Sequence, residues 1–114
     1  MVSRINYIPE RGDIVWIDFS PHKGHEQAHR RPALVLSSKL YNQKTGMMIA
    51  VPITSKIKQY PFEIEIKTKK LNGAILVDQI RNLDWRARDT AFIEKSSPAL
   101  ITEARERVIQ LLTE

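Results

Sequence analysis

Hydrophobic positions in this 114-residue chain fall mostly in short runs, and their spacing separates strands from loops. The first run is Asp13-Ile14-Val15-Trp16-Ile17-Asp18-Phe19. It is rich in β-branched and aromatic side chains, which predicts a strand ending at Ser20-Pro21. From His22 to Arg31 the chain is polar, contains Gly24 and has no apolar period, so a loop of about ten residues is expected there. Pro32 then opens Ala33-Leu34-Val35-Leu36-Ser37, a continuous apolar run of buried-strand type. Asn42 to Gly46 has the composition of a turn, and Met47 to Ile53 forms a third strand. Phe62-Glu63-Ile64-Glu65-Ile66-Lys67 alternates apolar and charged residues, the pattern of a half-buried antiparallel strand. Asn72-Gly73 is expected to supply the two positive-φ positions of a type I′ turn, with Ala74 to Gln79 returning as the paired strand.

The last segment changes period. Ser97-Pro98 has the residues of a helix start, a serine N-cap followed by proline in the first turn. Ile101, Ala104, Val108 and Leu111 follow at helical spacing, with Glu103, Arg105, Glu106 and Arg107 on other faces. Five or more short strands and one terminal helix predict a mainly β fold, a small and strongly bent antiparallel sheet or barrel with the helix packed on it. There is no repeat, low-complexity tract or linker, so residues 1–114 are read as one domain.

Composition narrows the chemistry. There is no cysteine, which excludes disulfides and thiolate metal sites. The N-terminal residues lack the apolar core of a signal peptide, and no apolar run approaches the roughly 20 residues that span a bilayer. A cytoplasmic protein is the expectation. Eighteen Lys and Arg against thirteen Asp and Glu give a net charge of +5. That balance attracts polyanions, because neutralised phosphates release their counterions, but it serves solubility equally well.

The polar loop concentrates the reactive groups. His22, His25 and His29 all lie in it, beside Lys23, Glu26, Gln27, Arg30 and Arg31. Cleaving RNA through its own 2′-hydroxyl needs a proton acceptor, donors for charge growing on phosphorus and an acid for the leaving 5′-oxygen. Glu and His can move the protons and Arg can hold phosphoryl oxygens, with no metal or other cofactor required. Two other readings stay open, a plain solvated loop and a metal site. The three- and four-residue histidine spacing aligns ligands only on a helix, which Pro21 and Gly24 oppose. Thr54-Ser55 places two hydroxyls at a strand end, able to bond a phosphate or merely to cap the strand. Asp78-Gln79 interrupts an apolar strand, either satisfying backbone groups or reading a base edge. Lys56, Lys58, Arg81, Arg86 and Arg88 are candidate phosphate contacts or solvated surface. Tyr60-Pro61-Phe62 offers a stacking face, although core packing is the stronger expectation for Phe62.

Taken in order, Arg11-Gly12-Asp13-Ile14-Val15-Trp16, Gly24-His25-Glu26-Gln27, Arg31-Pro32-Ala33-Leu34-Val35-Leu36, Val51-Pro52-Ile53-Thr54 and Val77-Asp78-Gln79 resemble the MazF/PemK family. Trp85-Arg86-Ala87-Arg88 is similar to the segment after the family's last matching strand. The resemblance implies an SH3-like, CcdB-like antiparallel barrel with a helix, assembled as a homodimer whose loops flank RNA grooves. It implies metal-independent, ribosome-independent cleavage of single-stranded RNA at a short motif, leaving a 2′,3′-cyclic phosphate and a 5′-hydroxyl. It also implies neutralisation by a cognate antitoxin of MazE/PemI type through that partner's C-terminal segment.

By position, Arg31 matches the family's catalytic arginine and Thr54 the threonine that assists it. Glu26 and Gln27 match loop residues lining the site, and His25 matches a histidine that some members carry there. Asp78 and Gln79 match strand residues that contact substrate, the aspartate being a proposed general base in some members. Certain members place an acidic-role arginine two residues before that aspartate, where this chain has Leu76. The departure favours a site centred on Arg31 and Thr54. A CcdB-like gyrase-binding toxin is the rival reading, since it shares the fold but has no use for Glu26, Arg31 and Thr54.

Overall fold

Central strands that face hydrophobic material on both sides cannot alternate apolar with polar, and β1, β2 and β3 obey that rule. In the computed structural model, which describes residues 7–19 and 30–114, β1 (Asp13–Asp18), β2 (Arg30–Val35) and β3 (Met47–Thr54) lie side by side and antiparallel. Successive side chains go to two different clusters. Ile14, Leu34, Val51 and Ile53 join one, completed by Ile64, Ile66, Ile75 and the helix residues Ala104 and Val108. Val15, Ile17, Ala33, Val35, Met48 and Ala50 join the other, with Leu83 and Trp85. The histidine-rich loop lies outside the described residues, and with it His22, His25, Glu26, Gln27 and His29.

The remaining strands are β4 (Glu63–Lys67), β5 (Asn72–Leu76), β6 (Arg81–Asp84) and β7 (Ala91–Lys95). They extend the sheet in the order β4-β5-β3-β2-β1-β7, with β6 also paired to β3. One edge of β3 is thus shared: Met47 to Ala50 pair with β6, and Ile53 and Thr54 pair with β5. The helix α2 (Pro98–Thr113) starts where expected, with the Ser97 hydroxyl accepting from the Leu100 N–H. No helix among the described residues is long and apolar enough to cross a membrane.

Four local expectations need correction. Asn42–Gly46 is not a turn but the end of a short helix, α1 (Lys39–Thr45), capped by the Ser38 side chain and closed by Gly46 at φ 73°. Asn72-Gly73 does not form a type I′ turn; both residues lie in β5, paired with Lys67 and Ile66. The reversal is Thr68–Leu71, where the Thr68 Oγ1 accepts from the N–H groups of Lys70 and Leu71. The strand expected to run to Gln79 stops at Leu76, and Val77–Gln79 is a 3₁₀ turn. Phe62 is 40% exposed rather than in the core, its ring set edge-on to Tyr60 at 5.7 Å.

Candidate nucleic-acid interface

The sheet carries an open cleft of about 580 Å³ where the start of β2, the end of β3 and the Thr68–Leu71 turn converge. Arg31 stands near the start of β2, opposite Ile17 of β1, and is exposed. Thr54 ends β3 and Ser55 follows it, so antiparallel pairing of β2 with β3 brings the arginine and both hydroxyls into one cleft. Arg30, Lys56 and Lys70 add three more cations, and no carboxylate lines the cleft among the described residues. Such a surface concentrates a polyanion.

Several of these groups are held in place. The Thr54 Oγ1 accepts from the Lys56 N–H at 3.2 Å, which leaves the hydroxyl proton available to a phosphoryl oxygen. Arg30 donates to the Asp89 carboxylate at 2.7 Å, and its guanidinium sits 6.0 Å from the centre of the Trp16 ring. Asp89 offsets part of the charge of Arg30, whereas no ion pair to Arg31 is found among the described residues. Lys70 donates to the Ile93 carbonyl at 3.1 Å, fastening the turn to β7. Trp16 lines the cleft at 39% exposure, an aromatic face beside the cations.

A second, smaller cleft of about 230 Å³ shares Thr54 and Lys56 with the first and adds Lys58, Tyr60, Glu63 and Gln79. Gln79 reaches it from the 3₁₀ turn rather than from a strand. Asp78 is exposed beside it and accepts a hydrogen bond from the Tyr60 hydroxyl. That bond, more than any burial, pushes the phenol above its ordinary ionisation range.

Three other candidate phosphate contacts line neither cleft. Arg81 donates to the Phe19 carbonyl and lies over the Phe19 ring at 5.6 Å. Arg86 donates to the Gln43 carbonyl of α1 and covers Trp85 at 5.1 Å. Arg88 donates to the carbonyls of Asp18 and Phe19, tying off the end of β1. In this structure all three fasten backbone. Reading the sequence placed Arg30 among the reactive groups but missed Trp16 and Lys70 as cleft residues. The only local signal was the aromatic on a strand and the adjacent Lys69-Lys70 pair.

A small bent antiparallel sheet with a terminal helix, bearing a cationic cleft furnished with hydroxyls, defines a nucleic-acid-handling class of β-rich protein. The family described as PemK-like, MazF-like toxin of type II toxin–antitoxin system matches residues 10–112, and the chain belongs to it. It is 51% identical over 88 residues to the endoribonuclease toxin MazF of Escherichia coli strain K12, an alignment covering 77% of this chain and 78% of that one. The crystal structure of MazF from Deinococcus radiodurans superposes with a TM-score of 0.85 at 42% identity, covering 95% of this chain and 99% of that one. A MazE–MazF structure from the same organism matches with a TM-score of 0.83 at 38% identity, covering 94% and 97%.

Proposed function

We propose that this chain is the toxin of a type II toxin–antitoxin pair and cleaves single-stranded RNA at a short motif, without a metal. The observation that carries the reading is the cleft in which Arg31, Thr54 and Ser55 meet further cations with no carboxylate in the lining. The Arg31 guanidinium is suited to hold the non-bridging oxygens of the scissile phosphate, and its attraction grows as charge accumulates there. The Thr54 hydroxyl donates a second hydrogen bond to the same group, its own oxygen being occupied by the Lys56 N–H. Attack by the adjacent 2′-hydroxyl on phosphorus, with loss of the 5′-oxygen, gives a 2′,3′-cyclic phosphate and a 5′-hydroxyl. Glu26 and His25 are proposed for the proton transfers and Gln27 for lining the site. Ser55, Lys56, Lys58, Asp78 and Gln79 are proposed for substrate binding, with Trp16 as a face for a splayed base.

The proposal extends to partners. The MazE–MazF structure shows the related toxin with its antitoxin. A cognate antitoxin whose C-terminal segment covers the same cleft fits this chain, as does a homodimer working in the cytoplasm on messenger RNA. A CcdB-like gyrase-binding role finds no support in these relatives.

The deciding experiment is cleavage of a long single-stranded RNA in EDTA, with fragment ends mapped, for wild type, Arg31→Ala and Thr54→Ala. Discrete cuts at one motif are expected, reduced at least about 100-fold by Arg31→Ala, the scale of a lost charge-stabilising donor. Full activity in a folded Arg31→Ala protein would remove the assignment. A folded wild type that cuts nothing would leave a binding protein.

A further inference from the structure

Between the end of β3 and the start of β4, residues 55–62 pass along both clefts, and one carboxylate organises that passage. Glu63 is only 8% exposed. Its Oε1 accepts from the Gln59 N–H at 2.6 Å and from the Lys58 N–H at 3.1 Å. Bringing two successive amides onto one oxygen goes with a reversed backbone, and Gln59 adopts φ 57°, in the left-handed region. The Glu63 N–H returns a bond to the Tyr60 carbonyl at 3.1 Å, closing the turn. At the other end, the Lys56 N–H is held by the Thr54 hydroxyl. Lys56 and Lys58 are therefore displayed on a segment anchored at one end by the proposed phosphate-binding threonine and at the other by a buried acid.

We propose that Glu63 is a positioning residue for substrate binding. It folds the segment 55–62 so that Lys56 and Lys58 meet the RNA backbone in register with Thr54. The inference rests on the ribonuclease reading above. Glu63 has no part in proton transfer: it acts by holding two backbone amides, and its effect on RNA passes through the two lysines. A carboxylate suits this role because a charged acceptor binds amides more strongly than a neutral one. Replacing it by a carboxamide keeps the shape and one accepting oxygen, but removes the charge that strengthens both bonds and puts an NH2 donor in place of the second oxygen.

The test compares Glu63→Gln with wild type on a defined single-stranded RNA containing the cut motif, measuring kcat and KM over a range of salt. KM is expected to rise about tenfold while kcat stays within about threefold, the signature of lost uniform binding. The dependence of log KM on log salt should flatten by about 0.7 for each lysine displaced. In a Lys56→Ala/Lys58→Ala background the same Glu63→Gln change should have little further effect, since interacting sites are not additive. Unchanged KM and salt slope in a folded Glu63→Gln protein would overturn the inference, as would a full tenfold effect in the double-lysine background. Should Glu63→Gln fail to fold, amide exchange in the wild type decides. Slow exchange at Lys58 and Gln59 supports the role, and exchange at the free-peptide rate at both refutes it. A wild type that does not cut RNA sinks the functional reading instead, so the two failures are separable.

Discussion

Gly73 lets two strands meet more closely than any side chain would allow. A methyl group built at that position would stand 2.0 Å from the Thr54 carbonyl oxygen and 3.3 Å from the Ser55 Cα. Both are backbone atoms, so relief requires β5 to move away from β3 where the hydroxyl pair of the cleft begins. Gly73→Ala is expected to cost at least about 2 kcal/mol, the range of an overpacked interior, read as a lower midpoint in urea denaturation. An unchanged midpoint would mean that the pairing of Thr54 with Ala74 is looser than described. The Asn72-Gly73 dipeptide invited a turn because glycine is used most often for positive φ. Here glycine is required for space, a reason that depends on Thr54 of a partner strand, nineteen positions earlier, and that no local window contains. Arg31 and Thr54 were legible as a pair through resemblance. Trp16 and Lys70 were not, because their place in the cleft depends on the pairing of β1 with β2 and on the bond from Lys70 to β7.

At the scale of elements, α1 is the part least visible in the sequence and the most dependent on one buried side chain. It has seven residues, and its apolar Leu40 is 64% exposed, so no amphipathic stripe marks it. The readable signal was the pair of ends, Ser38 as N-cap and Gly46 as a left-handed cap. What holds it is Asn42, fully buried. Its Nδ2 donates to the Pro9 carbonyl at 2.8 Å, and its Oδ1 accepts from the Ser37 hydroxyl at 2.6 Å. Its backbone carbonyl accepts from the Trp85 indole at 3.0 Å. Asn42→Ala would leave the Pro9 carbonyl and the Ser37 hydroxyl proton without their partners, the Ser37 oxygen still accepting from the Ile49 N–H, and a loss of roughly 2–4 kcal/mol is expected. Because α1 touches neither cleft, RNA cleavage should persist below the lowered melting temperature. Loss of cleavage in the folded variant would contradict that separation. β6 and β7 escaped notice for a related reason: each is four or five residues long with a single buried side chain, Leu83 and Ile93.

Over the whole molecule, the first described residues are tied to the last strand through Asp13, 3% exposed. Lys95 donates to its Oδ1 at 2.6 Å and the Tyr7 hydroxyl to its Oδ2 at 2.7 Å. The bond to Asp13 raises the Lys95 ammonium above its ordinary value of 10.5. Burial, then the bond to Asp13, raises the Tyr7 phenol well above 10.0. Both groups hold their protons more tightly when folded, so their contribution is complete below pH 10 and declines as pH rises through the folded values. Melting temperature should therefore fall on the alkaline side of pH 10, and Tyr7→Phe should flatten that decline while lowering stability at neutral pH by about 1 kcal/mol. An alkaline decline identical in Tyr7→Phe would disconnect the phenol from it.

The sharing of β3 among three neighbours carries a consequence for how the chain can vary. β3 faces β2 along one edge and β6 and then β5 along the other, while its alternate side chains fill two separate clusters. Losing or gaining one residue within it would send Met48 and Ala50 to the side of Val51 and Ile53, and break register with all three partners at once. No compensating change in one neighbour repairs that. Length variation in descendants of this sequence is thus confined to the connections, and Met47–Thr54 behaves as a fixed ruler against which the rest of the chain is measured.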